Sequence, residues 1–402
     1  MTFDVEALRA RFPSLTSGLA HFDGPGGTQT PREVGDAIAA TLTGPLSNRG
    51  SGTVSETNAE NAVAAFRAAY GDLLGVPPTG VVYGRSATQI TYDFSRHLAK
   101  TWKAGDEVVV TRLDHDANVS PWVQAAAMAG VEFRWIDFDP GTSEIDLASV
   151  ERAITGRTRL VAVTAASNLL GTKPPVRSIA DAAHAVGALV YVDGVHYAGH
   201  DVVDMTALGA DFFVCSPYKF LGPHCGVLGA APDLLETIRP DKLVPSTDVV
   251  PERFELGTLP YEILAGATAA VDFLAGIAPG EATDRRDRLR SSMACVDKHE
   301  TYLCGLVEAG LRELGPRVVL HSRAARRTPT LLATFPDRSS ADASAFLRAR
   351  DVLAPAGWFY AHQASVRLGI EDTAALRVGL SLYNTEEDVA RLLDGLSEFV
   401  AA

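Results

Sequence analysis

A carboxylate and a primary amine follow two neighbouring predicted strands of this sequence. The strand at residues 188–192 is followed by Asp193. The strand at residues 212–215 is followed by Ser216 and, after a short turn, by Lys219. The carboxyl ends of the strands in an open α/β sheet line the ligand crevice. We therefore predict that Asp193 and Lys219 face the same crevice.

This pair of side chains suits pyridoxal 5'-phosphate (PLP). The cofactor needs a lysine amine for its Schiff base and an acid against its ring nitrogen, which keeps the ring protonated. Lys219 and Asp193 fit these two roles. Taken alone, the pair also fits a surface lysine and an aspartate that ends a strand, so the neighbouring motifs must decide between the two interpretations.

An anion site is predicted within residues 81–94, where a strand turns directly into a helix. Ser86, Ala87 and Thr88 lie at the helix start, where exposed backbone N–H groups and the positive end of the helix dipole attract anions. A plain helix cap is the alternative. The glycine-rich segment at residues 21–31, HFDGPGGTQTP, is predicted to let the backbone approach a ligand closely.

The order of predicted elements indicates the fold class and the domains. Strands and helices alternate from residue 81 to residue 215, which predicts an α/β fold with a mostly parallel sheet and helices on both faces. After residue 260 the order changes, which indicates a smaller α+β domain. We predict an N-terminal arm at residues 1–20 that packs on the small domain, a large domain at residues 21–260 and a small C-terminal domain at residues 261–402.

The composition argues against several classes of protein. The 402 residues carry a net charge of -13 and no basic run, so a nucleic-acid partner is not expected. The four cysteines show no metal-type CxxC spacing. The first residues are charged and amphipathic, unlike a signal peptide, and no apolar run reaches membrane-spanning length. We therefore expect a cytoplasmic protein without a membrane partner.

Several motifs follow one another along the chain: LDHDANVSPW, SNLLGT, DGVH, SPYKFLGPHCG, RFELGT and LRVGLSLYNTEEDV. With these motifs, the sequence from His21 to the end resembles the class V aminotransferase family, and within it the cysteine desulfurase-like group. The resemblance implies PLP as the cofactor and the PLP-dependent transferase fold type I. In that fold a mostly parallel seven-stranded sheet flanked by helices forms the large domain, and a smaller α+β domain follows it.

The resemblance also implies a role for each matched residue. Lys219 is the Schiff-base lysine, Asp193 holds the pyridinium nitrogen, and His115 stacks on the PLP ring and can move protons. Asn168 matches the residue beside the PLP 3-oxygen and the substrate carboxylate, and Arg377 matches the bidentate clamp for that carboxylate. The remaining expected cofactor contacts lie around the phosphate: the Ala87 amide, Thr88, Ser216 and, as an added hydroxyl donor, Ser86.

Two further matches imply a homodimer with shared active sites. In RFELGT, Thr258 matches a residue that reaches the phosphate of the partner. In SNRG, Arg49 matches an arginine of the partner chain that lines the substrate pocket. The expected substrate is an amino acid.

Two positions depart from the family near the cofactor. His196 and Tyr218 stand where the family has a glutamine and a histidine. Both are expected to contact PLP, and His196 can hydrogen-bond the 3-oxygen as glutamine does and also exchange a proton. His196 and His200 have the i, i+4 spacing of metal ligands on a helix, so a zinc site is an alternative, although no motif for a third ligand accompanies them.

The catalytic cysteine of cysteine desulfurases is missing from the matching stretch, residues 353–370. Transfer of sulfur as a persulfide needs a thiolate to accept it, so that route is predicted to be closed. The stretch instead carries four residues that either form an aromatic wall of the substrate pocket or pack internally: Trp358, Phe359, Tyr360 and His362.

The implied chemistry begins when an amino acid displaces Lys219 to form an external aldimine. The freed Lys219, or His115, then removes the α-proton, and the Cα carbanion is stabilised by the ring. We predict a C–S lyase that works by β-elimination, because the framework is desulfurase-like and the sulfur-accepting thiol is absent. The alternatives are an aminotransferase or amino-acid epimerase of the same fold, a weakly catalytic partner in sulfur transfer, and a metal hydrolase.

Overall fold

The computed structural model describes residues 3–280 and 282–402, which form a mixed α/β structure. The strands are β1 (Ala20–His21), β2 (Val81–Gly84), β3 (Glu107–Thr111), β4 (Glu132–Ile136), β5 (Phe138–Asp139), β6 (Glu144–Ile145), β7 (Thr158–Thr164), β8 (Leu189–Asp193), β9 (Phe212–Cys215), β10 (Gly226–Ala230), β11 (Val319–Leu320), β12 (Thr330–Thr334), β13 (Val352–Leu353), β14 (Ala356–Gly357) and β15 (Ala375–Gly379).

The helices fall between these strands and at both ends of the chain. They are α1 (Val5–Arg9), α2 (Arg32–Thr43), α3 (Val54–Leu74), α4 (Ala87–Ala99), α5 (Ser120–Ala129), α6 (Leu147–Ala153), α7 (Val176–Ala185), α8 (Met205–Leu208), α9 (Pro232–Thr237), α10 (Tyr261–Ala275), α11 (Arg285–Glu313), α12 (Ser340–Arg348), α13 (His362–Leu368) and α14 (Glu386–Ala401). None of the helices in the described ranges is long and apolar enough to cross a membrane.

The central sheet has seven strands in the order β2-β10-β9-β8-β7-β3-β4. Strand β10 pairs antiparallel with β2 and β9, and the other pairs are parallel. Strand β8 lies between β7 and β9, with Asp193 opposite Thr164 on one side and Val214 on the other. The predicted mostly parallel sheet is confirmed, and its parallel strands end on the side that carries Asp193.

Strand β10 is the part of this sheet that the sequence pattern does not predict. Its sequence, GVLGA, is short and has two glycines, so it lacks the run of β-branched residues typical of a buried strand. Packing explains the glycines. A Cβ on Gly229 would lie 2.8 Å from Leu74 Cδ1, and one on Gly226 would lie 2.4 Å from the backbone carbon of Ser86.

Helices cover both faces of the sheet, as the alternation of strands and helices predicts. Along β8, Val190 and Val192 belong to one buried cluster together with Phe66 of α3. The intervening Tyr191 belongs to a second cluster with Phe94 of α4. Side chains of a strand point alternately to opposite faces, so the two clusters lie on opposite sides of the sheet.

A second sheet follows in the C-terminal part of the chain. It is antiparallel in the order β11-β12-β15-β14. A third buried cluster joins it to α11, α12 and α14. Arg9 of α1 pairs with Asp388 of α14 at 3.1 Å. Helix α10 packs on α2 and α3, and the boundaries after residues 20 and 260 stay a prediction.

Candidate active site

A cavity of about 590 Å³ opens at the carboxyl ends of β7, β8 and β9. The same cavity reaches the start of α4 and residues of the C-terminal sheet. Ten of the predicted site residues line it: Ala87, Thr88, His115, Asn168, Asp193, His196, Ser216, Tyr218, Lys219 and Arg377. The parallel strand ends therefore bring together residues that are far apart in the sequence.

Lys219 lies in the short turn that follows β9. The turn is closed by a hydrogen bond from the Lys219 backbone N–H to Ser216 O, at 2.9 Å. The Lys219 ammonium donates to Pro25 O in the glycine-rich segment and lies 4.9 Å from the centroid of the Tyr218 ring. Burial, and then the charge of Arg377, lower the pKa of Lys219 to about 7. An amine with this pKa is available as a nucleophile and as a base near neutral pH.

Asp193 ends β8 in the middle of the sheet and is buried, with 6% of its surface exposed. The backbone N–H of Val195 donates to Asp193 Oδ1 at 2.8 Å. Burial raises the pKa of Asp193 to about 6, against the opposing attraction of Lys219. A cationic partner inside the cavity would favour the charged form of the Asp193 carboxylate. The protonated ring nitrogen of the cofactor would be such a partner.

His115 follows β3, and its position is fixed by the chain around it. The Ala117 backbone N–H donates to His115 Nδ1 at 3.0 Å, so the neutral ring carries its proton on Nε2. Burial, and then the charge of Lys219, lower the pKa of His115 to about 4. Beside it, the buried Asp114 carboxylate accepts hydrogen bonds from the Thr111 hydroxyl and from Asn118 Nδ2.

His196 contacts the C-terminal sheet as well as the cavity. Its Nε2 lies 2.9 Å from the hydroxyl oxygens of both Thr328 and Thr330. Burial, and then the proximity of His200, keep the pKa of His196 below its ordinary value. His200 Nδ1 is 2.8 Å from Glu300 Oε2. Across the described residues no group of three His, Cys, Asp or Glu side chains could hold a metal ion, so the structure gives the zinc alternative no support.

The predicted anion site lies at the start of α4. Ala87, Thr88 and Ser216 line the cavity there. Ser86 does not line the cavity, and its hydroxyl caps the helix by accepting from the Gln89 backbone N–H at 3.0 Å. The helix dipole and the first backbone N–H groups favour an anion at this end of the cavity. Gly226 permits the arrangement, because a Cβ there would come within 2.6 Å of the Ala87 nitrogen.

Arg377 is a buried cation without an ion-pair partner among the described residues. It lies on β15 with 2% of its surface exposed. Its Nη1 donates to Asn168 O at 2.9 Å, and its guanidinium carbon lies 3.7 Å from the centroid of the Phe359 ring. Arg377 Nε and Asn168 Oδ1 are buried, and neither finds a hydrogen-bond partner among the described residues. Burial lowers the pKa of Arg377 to about 9. An isolated buried charge is costly, so the site is suited to an incoming carboxylate.

The segment that replaces the cysteine-bearing stretch also reaches the cavity. Of the four residues considered for an aromatic wall, Phe359 and Tyr360 line the cavity, whereas Trp358 and His362 lie outside the lining. Each of the four cysteines is buried and none of them lines the cavity: Cys215, Cys225, Cys295 and Cys304.

Arg49 and Thr258 lie outside the cavity of their own chain. Arg49 is paired with Glu60 at 2.8 Å and with Glu252 at 3.2 Å. Thr258 lines a separate cleft that also contains Tyr83. Both residues are expected to act on a partner subunit, and this stays a prediction.

Sequence reasoning missed the residues that hold the site in place. Thr328, Thr330 and Glu300 fix the two histidines from the C-terminal part of the chain, and no motif marks them. Asp116 lies in the motif LDHDANVSPW and also lines the cavity. Its acidity and its place beside His115 are the signal that could have found it.

The profile of the class V aminotransferase family matches residues 20–392. The chain belongs to this family. An uncharacterized protein of Mycobacterium tuberculosis is 30% identical over 407 residues, covering 99% of each chain. A cysteine desulfurase of Klebsiella pneumoniae is 29% identical over 422 residues, covering 98% of each. The apo structure of a cysteine desulfurase from Thermococcus onnurineus shares the fold, with a TM-score of 0.89 at 24% identity over 100% of this chain and 99% of the other.

The family assigns the cofactor and the fold type. Class V aminotransferases and their cysteine desulfurase relatives depend on PLP, so the protein is a PLP-dependent enzyme of fold type I. The cavity fits this cofactor. It holds one amine of lowered pKa, one buried carboxylate and a helix start suited to a phosphate. Lys219, Asp193 and the start of α4 would hold the Schiff base, the ring nitrogen and the phosphate respectively.

Proposed function

We propose that this enzyme is a C–S lyase that eliminates a thiol from Cβ of an amino acid and uses no persulfide cysteine. The observation that carries the proposal is the cavity lining in the described residues, which includes an amine, two carboxylates and a guanidinium but no thiol. The cysteine desulfurase-like relatives support sulfur-containing amino acids as the substrate class. Without a thiolate acceptor, sulfur leaves with the group to which it is bound.

Arg377 and Asn168 bind and orient the substrate. The guanidinium of Arg377 has an unpartnered Nε, and the neighbouring Asn168 has an unpartnered Oδ1. The α-carboxylate of the substrate pairs with Arg377, because a guanidinium binds a carboxylate by two parallel hydrogen bonds. Asn168 positions the guanidinium, because its backbone oxygen accepts from Arg377 Nη1 at 2.9 Å; its Oδ1 is an acceptor and does not bond the carboxylate. This placement turns Cα toward Lys219, which lines the same cavity.

Lys219 removes the α-proton. When bound, PLP supplies an electron-withdrawing ring that stabilises the negative charge left on Cα. A general base works best when its pKa is near the operating pH. The pKa of Lys219 is lowered to about 7, whereas that of His115 is lowered to about 4. His115 Nε2 is therefore the weaker base, and its role is to stack and to orient.

The balanced reaction consumes one water molecule. The C–S bond breaks, its electron pair leaves with sulfur, and the thiolate takes a proton to become a thiol. The remaining enamine is hydrolysed to pyruvate and ammonium. Phe359 and Tyr360 line the cavity, and their rings leave less room for other water beside the reacting carbon.

The test is a product analysis with cysteine, cystine and S-alkylcysteines. We expect pyruvate in an amount equal to the sulfide from cysteine, the thiocysteine from cystine or the thiol from an S-alkylcysteine, and none of these products from a K219A variant. Turnover only with an added keto acid would indicate an aminotransferase. Inversion at Cα without pyruvate would indicate an epimerase. Cofactor binding with no turnover of any of these compounds would favour a partner in sulfur transfer. Each of these three results would refute the lyase.

We propose in addition a homodimer in which each subunit completes the site of the other. Exposed large apolar side chains lie near both residues in sequence: Val54, 69% exposed, follows Arg49, and Leu256, 54% exposed, precedes Thr258. Burying such side chains against a second copy would be favourable. Mixing inactive K219A and R49A chains should restore activity, because one site of the mixed dimer has both residues. Mixtures that remain inactive after subunit exchange would contradict shared sites.

A further inference from the structure

Residues 357–361, two of which line the cavity, have a strained backbone; we name this segment the aromatic strap. Phe359 and Tyr360 have φ angles of 51 and 57 degrees. Residues with a Cβ rarely adopt this left-handed region, and two large aromatic residues in succession are more unusual still. Strain of this kind persists only where the surroundings hold it, and it clusters at functional sites.

The contacts that hold the strap come from the cavity itself. Asn168 Nδ2 donates to Phe359 O at 2.9 Å, and the Asp116 backbone N–H donates to Tyr360 O at 2.7 Å. Asn168 and Asp116 both line the cavity. At its start the strap is joined to the strand that bears Arg377, because Gly357 pairs with Ala375. The strained residues are therefore fixed relative to the substrate-binding groups.

This backbone directs the two aromatic side chains to different parts of the cavity. The Phe359 ring covers the guanidinium of Arg377, with 3.7 Å from the ring centroid to Cζ. The Tyr360 ring lies with its centroid 5.6 Å from that of His115. Tyr360 remains 69% exposed although it lines the cavity. Its ring therefore stands at the mouth, where the end of a substrate side chain would lie.

The charges that one chain places around the cavity provide for one carboxylate in the substrate. Among the described lining residues, the lysine and arginine side chains are Lys219 and Arg377. Lys219 holds the cofactor and Arg377 the α-carboxylate. The Asp116 carboxylate accepts from the Ser120 hydroxyl at 2.9 and 2.8 Å. Its negative charge would repel a second carboxylate nearby.

We infer that the aromatic strap selects amino acids whose side chain ends in an aromatic group, with Tyr360 as the residue that sets this specificity. Under the proposed function, on which this inference rests, the substrates are S-aryl or S-arylmethyl cysteines. The aromatic end packs against the Tyr360 ring, and the sulfur lies between it and Cβ. Cysteine itself leaves that part of the cavity empty.

Binding to the holoenzyme tests the inference without turnover. L-homophenylalanine and L-norvaline have no leaving group at Cβ, and they differ by the aromatic ring. We expect homophenylalanine to bind about tenfold more tightly by calorimetry, as an aromatic contact of this kind would give. Y360A should abolish the preference and Y360F should keep it. Y302A removes an exposed tyrosine of α11 outside the cavity lining and should also keep it.

Two results would overturn the inference: equal affinities in the parent protein, or an unchanged preference in Y360A. A kinetic comparison of S-benzyl-L-cysteine with S-methyl-L-cysteine separates it from the proposed function. Pyruvate from both compounds at equal kcat/KM, together with equal binding, would refute the specificity and leave the lyase. Tighter binding of homophenylalanine without pyruvate from either compound would refute the lyase and leave the specificity.

Discussion

Replacing Arg377 by methionine should make the protein more stable and the enzyme much weaker. Arg377 is 2% exposed and has no ion-pair partner in the described part of the chain. Its compensation is one hydrogen bond to Asn168 O, the face of Phe359 and the more distant charge of Asp23. Since apolar replacement of buried charges often stabilises proteins, we expect R377M to raise the free energy of unfolding by about 1–3 kcal/mol. At about 2.1 cal/mol/K per residue, this corresponds to a rise in Tm of about 1–4 °C.

The loss of activity follows from the same contact. Without its buried charged partner, the substrate carboxylate loses about 2–5 kcal/mol of binding free energy in the transition state. The expected fall in kcat/KM is therefore about 30-fold to 5,000-fold. R377K keeps the charge but not the planar guanidinium with its two parallel donors, so its kcat/KM should lie between those of R377M and the parent. The assay is thermal unfolding at saturating PLP combined with steady-state kinetics.

Arg67 provides a matched control for this substitution. Arg67 is also buried, but it pairs with the buried Glu255 at 2.8 Å. R67M leaves that carboxylate without its partner, so it should destabilise the protein by about 3–5 kcal/mol. If R377M destabilised the protein as R67M does, or kept kcat/KM within threefold, the assignment of Arg377 as a carboxylate site would be refuted.

Three further substitutions test the surroundings of the site. H196Q should keep cofactor binding and lower kcat by less than about tenfold. Burial keeps the pKa of His196 low, so its role is to accept or donate a hydrogen bond. A hundredfold loss of kcat would show instead that His196 transfers a proton. G226A places a Cβ 2.4 Å from the Ser86 backbone, so it should cost about 1–3 kcal/mol in unfolding experiments and raise the Kd for PLP. The control G35A meets no atom within 4 Å in its helix and should stabilise by about 0.5–1 kcal/mol; equal effects of the two glycine variants would contradict the packing argument. D114N should gain stability relative to the parent between pH 5 and pH 8. Burial raises the pKa of Asp114 to about 8, whereas the pKa in the unfolded chain is about 3.9. The contribution of Asp114 to stability is therefore full below about pH 4 and is lost as the pH rises through the folded-state pKa of about 8. Urea unfolding at both pH values is the measurement, and a difference that does not change with pH would count against it.

The sequence predicts the central part of the fold because that part depends on local patterns. The predicted strands ending before Asp193 and Ser216 agree with β8 and β9 within one residue, and the predicted turn from strand to helix within residues 81–94 is the step from β2 to α4. Strand β10 was missed, since its glycines are selected by tight packing against other elements rather than by strand propensity. The convergence of Asp193 and Lys219 follows from the general rule for parallel strand ends, and the structure places both in one cavity.

The sequence by itself determined which chemical groups are available: an amine, a carboxylate, a helix start and the absence of a thiol in the stretch where the family has its cysteine. Only the tertiary structure decided what surrounds them. His196 meets Thr328 and Thr330 across 132 and 134 residues, and Arg377 meets Asn168 across 209. The strained φ angles of the strap, and the lack of an ion-pair partner for Arg377 in the described ranges, likewise arise from packing between distant segments. Burial, hydrogen-bond partners and pKa depend on neighbours in space, and a local pattern of residues does not specify those neighbours.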